Sequence, residues 1–302
     1  MLNAKQIIEV VKKYGPLYHL HSKEKYLPSS VEWYLQRASL YKNGKKTAEL
    51  KGDQSLLPTG TSLDDTSWVS IPESERGGNL ASAVAYVHAT TSRTAGMTDV
   101  QFWFFYPYNG PGTGKLYPLD NSVDLSPFGI HTGDWEHVTL TVNDAGVPQK
   151  MYLSQHDGGE WVTLDAKALS KRLHAYSSRN GHAAYKAPGE NLSYHEKEKA
   201  LGVTVYDIGL RNDTDDKGPV IDCAERYVYL DENTPRWVDF NGRWGPIVDY
   251  TEDLNKVINK IPSPVNKPLK SLMKQVPDEV KGNSGPSGPK MKRGTWFDGD
   301  KL

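Results

Sequence analysis

Gly129-Ile-His131-Thr-Gly-Asp134-Trp135-Glu136-His137-Val-Thr-Leu140-Thr-Val142 is the stretch on which the reading turns. Its second half alternates apolar and polar residues, the period of a strand with one face on a core. In an extended segment residues two apart share a face, so Asp134 and Glu136 point one way and Trp135 the other. By the same pleat His137 belongs with Trp135. His131 stands one short turn upstream, able to fold back toward the two carboxylates. One imidazole and two carboxylates make a mixed N/O donor set, suited to Mg, Ca, Mn or Zn rather than to a soft metal. The structural alternative is a hairpin entrance in which Asp134 makes a turn hydrogen bond.

Outward from this strand the signals stay β. Asp99-Val-Gln-Phe-Trp-Phe-Phe-Tyr-Pro-Tyr108 is a run whose continuous aromatic content implies a strand buried on both faces. Asn143-Asp-Ala-Gly146 is a hairpin signal between Val138–Val142 and 149–154, and Asp157-Gly-Gly159 is a second. Residue numbers paired across the first hairpin should sum to roughly 290, which brings His156 near Asp134. Residues 113–130 read as a loop carrying Asp120 and Asp124, either of which can supply a further oxygen ligand. Residues 186–218 read as a polar loop region around a strand Val203–Ile208. Ser177-Ser-Arg179-Asn-Gly181-His182-Ala-Ala-Tyr185 surrounds His182 with small residues. There a ligand can approach closely, or the imidazole is a hydrogen-bonded core group in a tight turn. His19, His21 and Glu24 form a fourth possible donor group, but alternation puts both histidines on one face of a strand, and the ordinary structural reading is preferred.

Helical periodicity appears at the ends. Residues 3–14 carry Ile7, Ile8, Val10 and Val11 on one stripe, closed by Gly15-Pro16. Val31 to Tyr41 reads as a second helix capped by Ser30. Residues 251–260 and 267–275 read as helices, and 277–295 as a flexible Pro/Gly/Ser/Lys tail. Trp296-Phe297 is out of character for disorder and suggests docking on the domain or on a partner. The expected architecture is mainly β: a two-sheet antiparallel β-sandwich over 15–250, with an N-terminal helix over 1–14 and a helical and flexible extension over 251–302.

Composition bounds the function. The 36 basic and 37 acidic residues nearly cancel, which removes the global argument for nucleic acid as a partner. Cys223 is the only cysteine, so there is no internal disulfide. No apolar run is long enough for a transmembrane helix, and no signal peptide is evident. The expectation is synthesis in the cytoplasm, with peripheral membrane association or export by a signal-independent route. With 17 Tyr and 8 Trp against 6 Phe, the aromatics suit sheet faces, sugar-binding surfaces and lipid interfaces alike. No GxSxG elbow, P-loop, HExxH or CxxC pattern is present.

Tyr14-Gly-Pro-Leu-Tyr-His-Leu-His21, Tyr26-Leu-Pro-Ser-Ser-Val31, Trp103-Phe-Phe-Tyr-Pro107, Gly133-Asp-Trp-Glu-His137, Gly181-His-Ala-Ala-Tyr185 and Trp237-Val-Asp-Phe-Asn-Gly-Arg-Trp-Gly245 occur in this order. As a set, over about residues 14–246, they resemble the vacuolar protein sorting-associated protein 62 family. More distantly, His131-x-x-Asp134-x-Glu136 followed by Ser154-Gln-His156-Asp-Gly-Gly is similar to the core of the necrosis- and ethylene-inducing-peptide-like cytolysins. That resemblance implies a divalent cation held by His131, Asp134 and Glu136 in a β-sandwich. It also implies a loop carboxylate, for which Asp124 is chosen with Asp120 in reserve, and His156 lining the same pocket. The chain departs from the cytolysins at Gly133, where they carry a second histidine.

The functional expectation is a cation-dependent binder of a glycan or membrane glycolipid headgroup, acting as a toxin or effector. Two carboxylates and a neutral imidazole favour Ca or Mg over Zn, and Tyr108, Tyr185 and Trp161 would stack on a sugar. One alternative is a metal-dependent hydrolase or lyase on a glycan or phosphodiester, with His156 or His182 moving a proton. Another is an intracellular trafficking or scaffold protein with a structural ion site.

Overall fold

The computed structural model describes residues 1–155, 158–230, 234–276, 284–292 and 294–300. At its centre is a six-stranded sheet ordered Gly158–Thr163, Pro148–Gln155, His131–Val142, Thr98–Asn109, Ala85–Thr91 and Tyr227–Tyr229. All neighbours are antiparallel except the last pair. Every residue of Thr98–Asn109 is buried, as its aromatic run requires. Across the first hairpin Val138 faces Leu153 and Leu140 faces Met151, a register one residue from the sequence estimate.

Each face of this sheet has its own apolar layer. Phe102, Phe104, Tyr106, Val138, Leu140 and Val142 pack against the N-terminal helix Ala4–Tyr14 and a second sheet. That sheet is ordered Ala184–Tyr185, His174–Ser177, Leu17–His19 and Val220–Asp222. On the opposite face Trp103, Phe105 and Trp135 meet Tyr34, Trp237, Phe240 and Trp244. Trp135 lies 5.4 Å from Trp237 and 5.5 Å from Trp244, centroid to centroid. A small sheet, Lys45–Glu49, Ser39–Lys42 and Ser67–Ser70, adds Leu40 and Val69 to this second layer. The antiparallel sandwich is therefore present, with its central sheet covered on both sides.

Some sequence expectations give way. The helix from Val31 ends at Leu35, and Ser39–Lys42 is a strand. Asn43 and Gly44, both at positive φ, turn it into a hairpin, and that turn chemistry outweighs the helical spacing of Leu35 and Leu40. The loops at 113–130 and 186–218 instead build a fourth sheet, ordered Gly189–Ala200, Val203–Thr214, Thr113–Tyr117 and Asp120–Asp124. Its first strand is mostly exposed and reads Glu-Lys-Glu-Lys, so no apolar alternation marks it. Helices Thr251–Lys260 and Asn266–Gln275 cover its apolar face through Ile258, Leu269 and Leu272 against Ile208 and Leu210. Among the described residues no helix is long and apolar enough to cross a membrane.

The C-terminal segment is docked where it is described. Trp244 N–H donates to the Pro286 carbonyl at 2.8 Å. Trp296 stacks on His88 at 3.7 Å and 5°, and the Asp300 carboxylate meets His137 Nε2 at 2.8 Å. Thr90 and Gln101 donate to the carbonyls of Phe297 and Thr295, both at 2.6 Å. These contacts use buried side chains of three central strands, and no local periodicity announces them.

Candidate functional site

The functional side chains meet at one rim of the central sheet. Asp134 pairs with Tyr106 and Glu136 with Phe104, so both carboxylates lie on the face covered by the second sheet. Both residues are 7% exposed. His182 reaches the same rim from the turn after His174–Ser177, where Asn180 (φ 69°) and His182 itself (φ 56°) are left-handed. Its ring stacks on Tyr106 at 3.7 Å and 9°. Its Nδ1 lies 2.9 Å from Asp134 Oδ2, and the side chain is fully buried. Such a backbone conformation on a non-glycine residue costs free energy and concentrates at working sites.

Glu24, set aside from the sequence together with His19 and His21 as structural, completes the corner. Its Oε1 accepts from the N–H groups of Lys25 and Tyr26 at 2.8 Å, and its Oε2 from Asn180 N–H at 2.6 Å. The same Oε2 stands 3.8 Å from His182 Nε2, with the Glu24 side chain 2% exposed. With Nδ1–H donated to Asp134, His182 Nε2 is an acceptor facing an acceptor, and among the described residues it has no hydrogen-bond partner. A proton on Nε2 or a cation between the two groups satisfies that geometry. An Asp–His pair orients a general base when the far nitrogen opens to substrate. Here the far nitrogen is enclosed by Glu24.

His131 pairs with Asn109 at the start of its strand. Its Nδ1 lies 2.6 Å from the Gly133 carbonyl, which can only accept. The N–H is therefore on Nδ1 and the lone pair on Nε2, the arrangement of a ligating imidazole. Burial pulls its pKa below the usual 6.5, and the charge of Asp134 works the other way. Ser154 donates its hydroxyl proton to Glu136 Oε2. Tyr185, 7% exposed, has its phenol pushed up by burial, with Ser193 hydrogen-bonded to it and the Glu136 charge nearby.

Other predicted positions fall around or away from this corner. Asp124 is 53% exposed and pairs with Arg179 at 3.5 Å. Tyr108 is buried, with Tyr26 at 4.8 Å and the Arg76 guanidinium 4.6 Å over its ring. Trp161 faces Tyr152 across its hairpin and carries Lys150 over its ring at 4.0 Å. Tyr152 contacts His137, which places Trp161 on the sheet face opposite Asp134. His156 lies outside the described residues, as does the side chain of Asp120. His19 bonds His174 at 2.8 Å, and His21 lies 3.4 Å from Asp215.

The donor set suits a hard cation in kind. Among the described residues, however, no three of His, Cys, Asp and Glu stand together closely enough to hold an ion as they are. Asp134 is engaged with His182 and Glu136 with Ser154.

Gly133 has a steric reason. Its φ is 68°, and a Cβ there would sit 2.0 Å from the Trp244 carbonyl oxygen. A Cβ on Gly245 would sit 2.3 Å from the Thr132 carbonyl oxygen. The two glycines let backbone cross backbone, and a histidine at 133 does not fit.

Comparison with known proteins agrees with the motif set. The sequence model of vacuolar protein sorting-associated protein 62 matches residues 1–300. The Saccharomyces cerevisiae putative vacuolar protein sorting-associated protein TDA6 is 27% identical over 292 residues, covering 80% of this chain and 60% of that protein. Vacuolar protein sorting-associated protein 62 of the same yeast is 28% identical over 280 residues, covering 76% and 58%. The chain thus spans about three-fifths of the length of these curated relatives. Among solved structures, Necrosis and Ethylene inducing Protein 2 from the causal agent of cocoa's Witches Broom disease aligns over 88% of this chain and 89% of its own. Its identity is 14% and its TM-score 0.31. NLPPya in complex with mannosamine aligns over 83% and 88%, at 10% identity and TM-score 0.30.

Proposed function

The chain belongs to the vacuolar protein sorting-associated protein 62 family, and we propose that it binds a glycan or glycolipid headgroup at a membrane through a divalent cation, as a toxin or effector. Asp134, Glu136 and His131 are the proposed ligands, with Ca or Mg the cation. One observation carries the reading: the carboxylates of Glu24 and Asp134 flank the buried His182 at 3.8 and 2.9 Å, and Glu136 shares their rim. Gathering carboxylates out of water costs free energy that an opposing charge offsets. The neutral His131, with its lone pair on Nε2, adds a nitrogen donor. The cation would supply positive charge to headgroup hydroxyls or a phosphate. The protein's part is to hold the acids and to exclude water with the buried Tyr106, Tyr18 and Tyr185.

Flotation with liposomes of phosphatidylcholine and an uncharged glycolipid, free of anionic lipid, tests this. Binding should require added Ca or Mg, be lost in a chelator, and be lost in Asp134→Ala and in Glu136→Gln. The second variant keeps His182 paired and guards against simple misfolding. Binding that survives the chelator overturns the proposal.

A further inference from the structure

Ten large apolar side chains stand exposed among the described residues, and four of them share one end of one sheet: Tyr117, Leu119, Leu201 and Val203. Strands Gly189–Ala200 and Val203–Thr214 form a long hairpin closed by Leu201 and Gly202. Both turn residues have positive φ, 50° and 82°, the signature of a two-residue type I′ turn. Asn, Asp or Gly fits such a position at little cost, whereas a leucine there is strained. This leucine is also fully in solvent, at 104% relative exposure, and Val203 is at 67%. A Cβ on Gly202 would meet nothing within 4 Å. The tip therefore gives up local stability twice, in backbone and in solvation, and among the described residues no intramolecular contact accounts for it.

The neighbouring turn repeats the chemistry. Tyr117 pairs with Asp207, so the Tyr117-Pro-Leu119 turn points the same way as the tip, about 13 Å behind it at ~3.3 Å per residue. Its Tyr117 and Leu119 are 38% and 45% exposed. The segments Lys115-Leu-Tyr-Pro-Leu119 and Lys199-Ala-Leu-Gly-Val203 each combine one lysine with apolar residues and contain no acid. Lys199 is exposed, as are Lys267, Lys270 and Lys274 on the helix packed against this hairpin. On this hairpin Glu196 bonds Gln275, and Asp207 bonds His195 and Lys197 and pairs with Lys115, which also pairs with Glu190; Asp120 follows Leu119 in sequence. Glu198 lies opposite Tyr206.

We propose that the Leu201–Val203 hairpin tip, with Tyr117 and Leu119 as its shoulder, inserts into the interface of an anionic lipid bilayer. Apolar side chains enter the acyl boundary while lysines meet the headgroup charge. The tip lies about 30 Å along the hairpin from Asp213, whose carbonyl bonds Arg179 beside the acid–imidazole rim. The inference shares with the proposed function only the presence of a membrane.

The test uses the full chain and vesicles of phosphatidylcholine with phosphatidylserine, free of glycolipid and of added cation, which keeps it separate from the headgroup reading. Wild type should cosediment. Leu201→Asn should bind at least about tenfold more weakly, the scale of withdrawing one leucine side chain from lipid. Its melting temperature should stay level or rise, because asparagine tolerates the left-handed turn. The proposal is overturned by equal binding of Leu201→Asn, by a wild type that does not bind, or by self-association that Leu201→Asn abolishes with no vesicle binding.

Discussion

Replacing Gly133 by alanine should destabilise the protein by about 2–5 kcal/mol. Two contributions make up this figure. A side chain held at the φ of 68° found at Gly133 costs ~1–2 kcal/mol. The added Cβ also lies 2.0 Å from the Trp244 carbonyl oxygen and 2.8 Å from Trp244 Cβ, so one backbone must withdraw. Overpacking of this kind costs about 1–3 kcal/mol. The retreat would displace Trp244, which is fully buried against Phe105, Trp135 and Phe240. The effect should appear in urea denaturation followed by tryptophan fluorescence, as a lower midpoint with an unchanged slope. Near-ultraviolet circular dichroism should lose aromatic intensity. Gly133→His, with a larger side chain at the same crossing, should be at least as destabilising. A loss below about 0.5 kcal/mol for the alanine variant would refute the claim that backbone crossing fixes this glycine.

Two further outcomes follow from the docked C-terminus. Trp296→Ala should cost about 3–5 kcal/mol and speed amide exchange across 294–300, measured by mass spectrometry, because Trp296 is 5% exposed and stacked on His88. Stability should also fall in acid. Burial pushes the His88 imidazole from its usual 6.5 down to about 4, so between those values the unfolded chain binds the proton and the native chain does not. Stability is therefore full above about pH 6.5, falls by at most ~1.4 kcal/mol per pH unit from this group, and levels off below about pH 4. Denaturation midpoints at several pH values check this, and His88→Gln should flatten the profile.

The central strands were legible, and the first hairpin's register to within one residue, because burial on one or both faces writes itself into residue order. Val138–Val142 alternates, 99–108 is continuously aromatic, and Asn143–Gly146 closes the hairpin that joins 138 to 153. The placement of Asp134 with Glu136, and of His137 with Trp135, follows from the same pleat. What stayed hidden depends on contacts between distant segments. Glu24 and His182 are 158 positions apart, and the strands carrying Leu17 and His174 pair in parallel, which no local turn can announce. The hairpin 189–214 was hidden for another reason: with one strand mostly in solvent, it had no apolar period to show. Trp296 did mark the docking of the tail, through the ring that stacks on His88, whereas the carbonyls of Thr295 and Phe297 that also hold it carry no mark in composition.

Isothermal titration of calcium and magnesium chloride into the purified chain tests the headgroup-binding account most directly. Wild type should bind one of these ions, with binding weakening as the pH falls and protons compete for His131 and the carboxylates. Asp134→Ala and Glu136→Gln should show no binding heat. A wild type that takes up neither ion, or variants that bind as it does, would contradict a cation-centred site at this rim.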